Sequence, residues 1–211
     1  MGEPQLKQER ALKTRQAIIY AAAEVFDESG YHGASMRKIM QRAGITLGAV
    51  YFHFPNKEAL AIAVMNSQPE TIMPRLVSDG LQRLVDITLV WSHQLQADKI
   101  LRAAVRLAVE QSGFGIHDAD SFDAWKKIME ECLLDARDRG ELRDFVDERK
   151  VAEFVVGACT GMQLYSDLAA GRTDLPRRTV NMWELLIPAI ASEAGRKAVK
   201  VSLRRAATLV K

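Results

Sequence analysis

Between Ser29 and Lys57 the chain has no aspartate or glutamate, yet it carries Arg37, Lys38, Arg42 and Lys57. Among these cations stand Thr46, Tyr51 and His53, whose polar tips can donate hydrogen bonds. Cations and neutral donors without competing carboxylates suit the phosphates of a nucleic-acid backbone. The rest of the chain has the opposite balance. Residues 59–194 hold 15 basic and 21 acidic side chains, and beyond Glu193 six Lys or Arg follow with no acid. The net charge of +2 therefore hides a segregated pattern, with a middle that repels polyanions and an N-terminal region that attracts them.

Bond-making chemistry has no comparable signal. His32, His53, His93 and His117 are scattered, and there is no H-E-x-x-H, C-x-x-C or G-x-S-x-G. His117, Asp118 and Asp120 could touch a metal, but a loop of this kind more often caps a helix. Gly113-Phe114-Gly115 lacks the third glycine and the preceding strand of a nucleotide site. The expectation is a protein that is not an enzyme, with no catalytic residues, no metal and no cofactor. Cys132 and Cys159 are isolated, which fits core residues in a reducing cytoplasm rather than a disulfide frame. Met1–Arg15 has no apolar stretch of the secretory kind, and no run of eighteen apolar residues could span a membrane. A cytoplasmic protein without a membrane partner is expected.

The elements that must hold the cationic stretch are helical. With 48% hydrophobic residues over 211 positions there is ample material for a core. The apolar positions recur at helical spacing, punctuated by Gly, Pro and short polar residues. The fold class expected is all-α: an N-terminal three-helix helix-turn-helix domain, residues 1–54, joined to a helical ligand-binding and dimerisation domain, residues 55–211. A first helix is expected over Lys7–Glu28, with Ile18, Ile19, Ala22, Ala23 and Phe26 as its apolar stripe and Gly30 as its stop. Ser35 can cap a second helix whose Met36, Ile39, Met40 and Ala43 share a face, and Gly44 ends it. Thr46 can cap a short third helix reaching Phe52. Asn56 can then cap a long helix beginning at Lys57. Further helices are expected at about 81–97, 99–112, 120–139, 147–170, 176–193 and 195–209.

A helix-turn-helix uses one helix for support, a tight turn, and a second helix entering the DNA major groove N-terminus first. Met36–Ala43 fits the support, Gly44-Ile45 the turn and Thr46–Phe52 the reader. So short a reader is unstable alone, so Val50 and Phe54 must pack it onto its neighbours. Thr46, Leu47 and Gly48 then face outward. Gly48 costs a helix about 1 kcal/mol relative to alanine, which a close approach to DNA would justify. The Thr46 hydroxyl, Tyr51, His53 and Lys57, with Arg37 and Lys38 at the start of the supporting helix, are the candidate DNA contacts. The competing reading is a plain helical hairpin with Tyr51 and Phe52 in its core.

At these residues the sequence resembles a known family. Lys13–Ile18, Ala23–Phe26, Gly30-Tyr31 and the unbroken run Ala43–Leu60 look like the DNA-binding domain of the TetR repressors. The resemblance covers about the first 60 residues. It implies an all-helical homodimer with a second, ligand-binding domain, and DNA-contacting roles for Thr46, Leu47, Gly48, Tyr51, His53 and Lys57. Position 47 is very often lysine in relatives of this type. Leu47 can offer only apolar contact, for instance to a thymine methyl. Either the operator differs, or base reading has moved to Arg37, Arg42 or the N-terminal cations Lys7, Arg10, Lys13 and Arg15.

The resemblance extends further. Gln8–Arg15, Arg102–Leu107, Phe122 with Trp125, and Gly157–Gln163 are similar to the γ-butyrolactone (autoregulator) receptors of streptomycetes and their paralogues. It implies an apolar pocket for a small hydrophobic signalling molecule such as a lactone, butenolide or furan, with Gln68, Trp125 and Thr160 as ligand-binding residues. A tryptophan supplies a flat wall and an N–H donor, while Thr160 and Gln68 supply polar groups to fix a ring. Each also has a plain structural reading: core tryptophan, small residue for helix packing, helix-end residue. Val151, Phe154, Val155, Ala158, Met162 and Tyr165, beside Gly157 and Gly161, are expected to meet Val180, Trp183, Leu186, Ile187 and Ile190 in a dimeric four-helix bundle, or to share in the monomer core. The partners implied are a double-stranded DNA operator, the signal and a second copy. Alternatives are a TetR-type sensor of a drug or antibiotic intermediate with no lactone, or a helical protein whose 195–209 segment lies on anionic membrane.

Overall fold

Short polar caps and left-handed glycines divide the chain into helices. The structure is a computed structural model describing residues 3–72 and 76–210. Among the described residues there is no strand, and one isolated bridge joins Leu142 and Ala191. Helix α1 spans Glu3–Gly33 and bends at Gly30, whose φ of 66° and ψ of 178° interrupt the regular spiral. Ser35 caps α2 (Met36–Ala43), accepting from the Lys38 amide at 3.2 Å. Gly44 closes α2 in the left-handed conformation, φ 66° and ψ 28°, which glycine adopts without steric cost. Thr46 caps α3 (Leu47–His53) through the Ala49 amide, and Asn56 caps α4 (Lys57–Met65) through the Ala59 amide.

The chain continues through α5 (Gln68–Ile72), α6 (Gly80–Gln94), α7 (Lys99–Glu110) with a 3-10 turn at Gln111–Phe114, and α8 (Asp120–Asp138). Then come α9 (Glu148–Ala170), α10 (Leu175–Ile190), α11 (Glu193–Ala198) and α12 (Leu203–Leu209). Two sequence expectations need correction. The helix from Lys57 is not long, because its C-cap Asn66 ends it and Gln68 starts another. The 195–209 segment is two helices, not one. Between them the Lys200 amide leaves helical bonding to donate to the Gln82 side chain at 2.7 Å, and Ser202 caps the second piece.

Packing divides the chain into two units: Met1–Gln68 with Asp98–Ser121, and Pro69–Ala97 with Phe122–Lys211. In the first, α1 packs on α2, α4 and α7. The expected stripe Ile18, Ile19, Ala22, Ala23 and Phe26 is fully buried there. Arg102 of α7 grips Asp27 of α1 with two hydrogen bonds of 3.1 and 2.7 Å. Tyr31 and Phe114 stack with ring centroids 3.8 Å apart.

In the second unit, α6 is buried along most of its length, and the polar Asp86, Thr88, Ser92 and Gln94 are buried with its apolar residues. It carries α10 and α12. Trp183, fully buried, donates its indole N–H to Thr88 at 2.7 Å. Arg205 of α12 clasps the fully buried Asp86 of α6 at 2.6 and 2.5 Å. Cys132 and Cys159 are buried and unpaired, and burial pushes their thiols up to about 11 and about 12.

Candidate nucleic-acid interface

α3 has only seven residues, so its position depends on its anchors. Val50 is completely buried and Phe54 nearly so, and the Phe54 amide closes the helix on the Val50 carbonyl at 2.9 Å. Arg15 of α1 lies over the Phe54 ring at 5.1 Å. With that side fixed, Thr46, Leu47, Gly48, Tyr51 and Phe52 are all exposed. The hairpin reading that placed Tyr51 and Phe52 in the core does not hold, since Tyr51 is 47% and Phe52 83% exposed. Sequence reasoning missed Phe52 as a surface residue because an aromatic beside a buried valine reads as core until the helix rotation is fixed.

The other expected DNA-contacting residues are less uniform. Thr46 accepts the cap bond, which leaves its O–H able to donate. His53 is half-buried at the end of α3, and its ring meets that of Phe52 edge-on at 5.1 Å. Lys57 turns inward. Its ammonium donates to the Tyr31 and Ala34 carbonyls at 2.9 and 3.2 Å and lies 4.1 Å over the Tyr31 ring. It thus ties the start of α4 to the bent end of α1, where the helix dipole favours a cation. Lys38 is exposed but donates to the Gly33 carbonyl at 2.8 Å.

Arg37 and Arg42 differ more sharply. Arg37 is exposed in the first turn of α2. Arg42, offered in the sequence as a substitute base reader, is held by Glu28 at 3.1 and 2.7 Å and by Glu24 at 3.2 Å. Those bonds raise the guanidinium pKa and hold the Glu28 carboxyl below its ordinary range. The acid-free run of sequence therefore does not produce an acid-free neighbourhood, because α1 brings two carboxylates to α2. Glu24 also lies 3.6 Å from Lys99. Among the N-terminal cations, Lys13 pairs with Glu9 at 2.7 Å along α1.

The expected ligand residues fall in both units. Gln68 opens α5 in the first unit, is 4% exposed, and donates to the Met65 carbonyl at 3.1 Å. Trp125 of α8 and Thr160 of α9 belong to the second. Trp125 is 8% exposed, and the Thr160 hydroxyl donates to the Val156 carbonyl at 2.9 Å, leaving its lone pairs for a partner. Two open clefts of about 480 and 440 Å³ lie within the first unit, and neither is lined by these three residues.

The apolar residues of α9 and α10 divide. Val155, Trp183, Val180 and Ile190 are core, whereas Phe154 (56%), Tyr165 (61%), Leu168 (89%) and Leu185 (81%) are exposed. Phe154, Gly161, Tyr165 and Leu168 share one helix face, and a methyl group at Gly157 or Gly161 would meet no heavy atom within 4 Å.

Known proteins agree with this arrangement. Residues 18–64 match the family described as bacterial regulatory proteins, tetR family, and residues 78–192 match the tetracyclin repressor-like C-terminal domain. The A-factor receptor protein of Streptomyces griseus is 36% identical over 185 residues, which cover 88% of this chain but 66% of that receptor's length. The full-length TetR regulator TylP of Streptomyces fradiae superposes with a TM-score of 0.85 at 36% identity, covering 97% of this chain and 91% of that one. A γ-butyrolactone receptor described as ArpA-like gives a TM-score of 0.67 at 30% identity, over 95% and 98% of the two chains. No helix among the described residues is long and apolar enough to cross a membrane. An anchored reader helix, two matching domain families and near-complete superposition on a family regulator lead to one assignment: the chain belongs to the TetR family and is a DNA-binding repressor of the TetR type, not an enzyme.

Proposed function

We propose that this repressor binds a pseudo-palindromic operator on double-stranded DNA as a cytoplasmic homodimer and is released by a small hydrophobic signal. The signal class is a γ-butyrolactone, butenolide or furan. The observation that carries DNA reading is the rotation of α3, which buries Val50 and exposes Thr46, Leu47, Gly48 and Tyr51. Arg37, Lys38 and the remaining donor of Lys57 flank that face for phosphate contacts. The exposed apolar face of α9 and α10 supports the dimer, which would hold two reader helices about 34–36 Å apart, one DNA turn. The names of the relatives, a receptor for A-factor and a γ-butyrolactone receptor, support the ligand class.

In this reading residues 1–54 read DNA and 55–211 bind the signal and dimerise. The packing units cut the chain differently because α4 and α7 pack on α1. Trp125, Thr160 and Gln68 are the proposed ligand contacts. A signal dissociates the complex only through its different affinity for the DNA-bound and free states. The test selects an operator from random duplex DNA at about 150 mM salt, where nonspecific contacts weaken, and then measures its release. We expect one discrete inverted-repeat operator, release by members of a lactone, butenolide and furan panel, and loss of release but not of operator binding in Trp125→Ala. No discrete operator rejects the mode of action. Release only by antibiotics or their intermediates rejects the ligand class.

A further inference from the structure

Sequence information is read from base edges, and α3 presents unusual chemistry to them. Its outward residues are Leu47, Gly48, Tyr51 and Phe52, of which only Tyr51 has a hydrogen-bonding side chain, and the Thr46 cap adds one hydroxyl. Of the four cations nearby, Arg37 is exposed on α2 rather than α3, and the other three are engaged within the protein. Arg42 is held by Glu24 and Glu28, Lys38 by the Gly33 carbonyl, and Lys57 by the Tyr31 and Ala34 carbonyls. A bidentate guanidinium contact to guanine, the commonest specific pairing, is thus not offered by α3 itself.

An apolar side chain distinguishes base pairs in the major groove chiefly through one group, the C5-methyl of thymine. Phe52 is placed to use it. Residues four apart share a helix face, so Phe52 stands one turn beyond Gly48, as Tyr51 stands beyond Leu47. Because Gly48 carries no side chain, it leaves a gap on that face one turn before Phe52. A methyl group at Gly48 would meet nothing within 4 Å, so that gap is open to solvent. The half-buried His53 ring braces Phe52 edge-on. At 83% exposure Phe52 has no packing role within the protein, and its apolar surface is left for a partner.

From this geometry we infer that Phe52, with Leu47, is a specificity-determining residue that reads thymine methyl groups in the operator half-site. The inference rests on the repressor reading above and names the base-edge chemistry that reading leaves open.

Uracil is thymine without the methyl, so it isolates the contact while preserving every base-edge hydrogen bond. The full-length protein is titrated against its selected operator at about 150 mM salt, with single thymine-to-uracil replacements along one half-site. We expect at least two positions at which uracil weakens binding by about three- to fivefold, the equivalent of one buried methyl each. Phe52→Ala should abolish the penalty at one of these thymines and Leu47→Ala at another. Phe52 is 83% exposed, so Phe52→Ala should melt as the parent does; Leu47 is 38% exposed, and Leu47→Ala is compared at a temperature where its own melt shows it folded. Uracil operators bound as tightly as thymine ones overturn the inference while leaving the repressor intact. So does a Phe52→Ala variant that weakens thymine and uracil operators equally, which would assign Phe52 to the sugar-phosphate backbone. If no discrete operator is recovered, both readings fall together, a distinguishable result.

Discussion

Gly48 lies inside α3 yet needs no left-handed backbone, and no neighbour occupies the place of its side chain. Its cost to the helix, about 1 kcal/mol relative to alanine, therefore has no cause within the protein. Gly48→Ala should raise stability by about that amount and weaken operator binding, since a methyl group would hold the reader away from the groove. Parallel thermal melts and DNA titrations check this, and a variant that gains stability at unchanged affinity would show that the α3 face does not closely approach the bases. Lys57 is the opposite case. The pattern implied a DNA contact, but two of its three donors serve the Tyr31 and Ala34 carbonyls, so its substitution would disturb the α1 bend as well as phosphate binding.

At the scale of elements, α12 is a short helix with no fixed place of its own. Ala206 is fully buried, and the Arg205 guanidinium reaches Asp86, which also accepts from Ser78 at 2.6 Å and Gln82 at 2.8 Å. Arg205→Ala would strand a carboxylate with no solvent exposure. Removing one partner of a buried pair costs about 3–5 kcal/mol, so urea denaturation should show a loss of that order. A loss below 1 kcal/mol would mean that Ser78 and Gln82 suffice. The basic residues of this segment suggested a membrane-facing surface in the sequence. Arg205 in fact faces the protein, because the only fully buried carboxylate among the described residues of α6 lies opposite it.

At the scale of the whole molecule, the face of α9 and α10 is incomplete in one chain. Leu168 and Leu185 are exposed by more than four-fifths, and large apolar side chains so placed mark an interaction surface. Leu168→Glu combined with Leu185→Glu should leave the monomer folded, since neither residue packs within it. Light scattering should then show a shift from dimer to monomer, with operator affinity falling steeply as two half-sites cease to be read together. A variant that remains dimeric would place the interface elsewhere.

The features that can be read from consecutive residues are local. Caps at Ser35, Thr46 and Asn56, the stop at Gly44 and the stripe from Ile18 to Phe26 are all legible, because each depends on residues within one or two turns. So is the TetR DNA-binding domain, since its pattern includes the unbroken run from Ala43 to Leu60. Tertiary structure decided what long-range partners do to side chains that look free in the sequence. Glu24 and Glu28, 18 and 14 positions away, neutralise Arg42; Asp86, 119 positions away, claims Arg205. The same holds for the reader helix α3. Its boundaries follow from Thr46 and Phe54, but its rotation is set by burying Val50 against other helices. That rotation, which no local pattern encodes, leaves both Leu47 and Phe52 exposed.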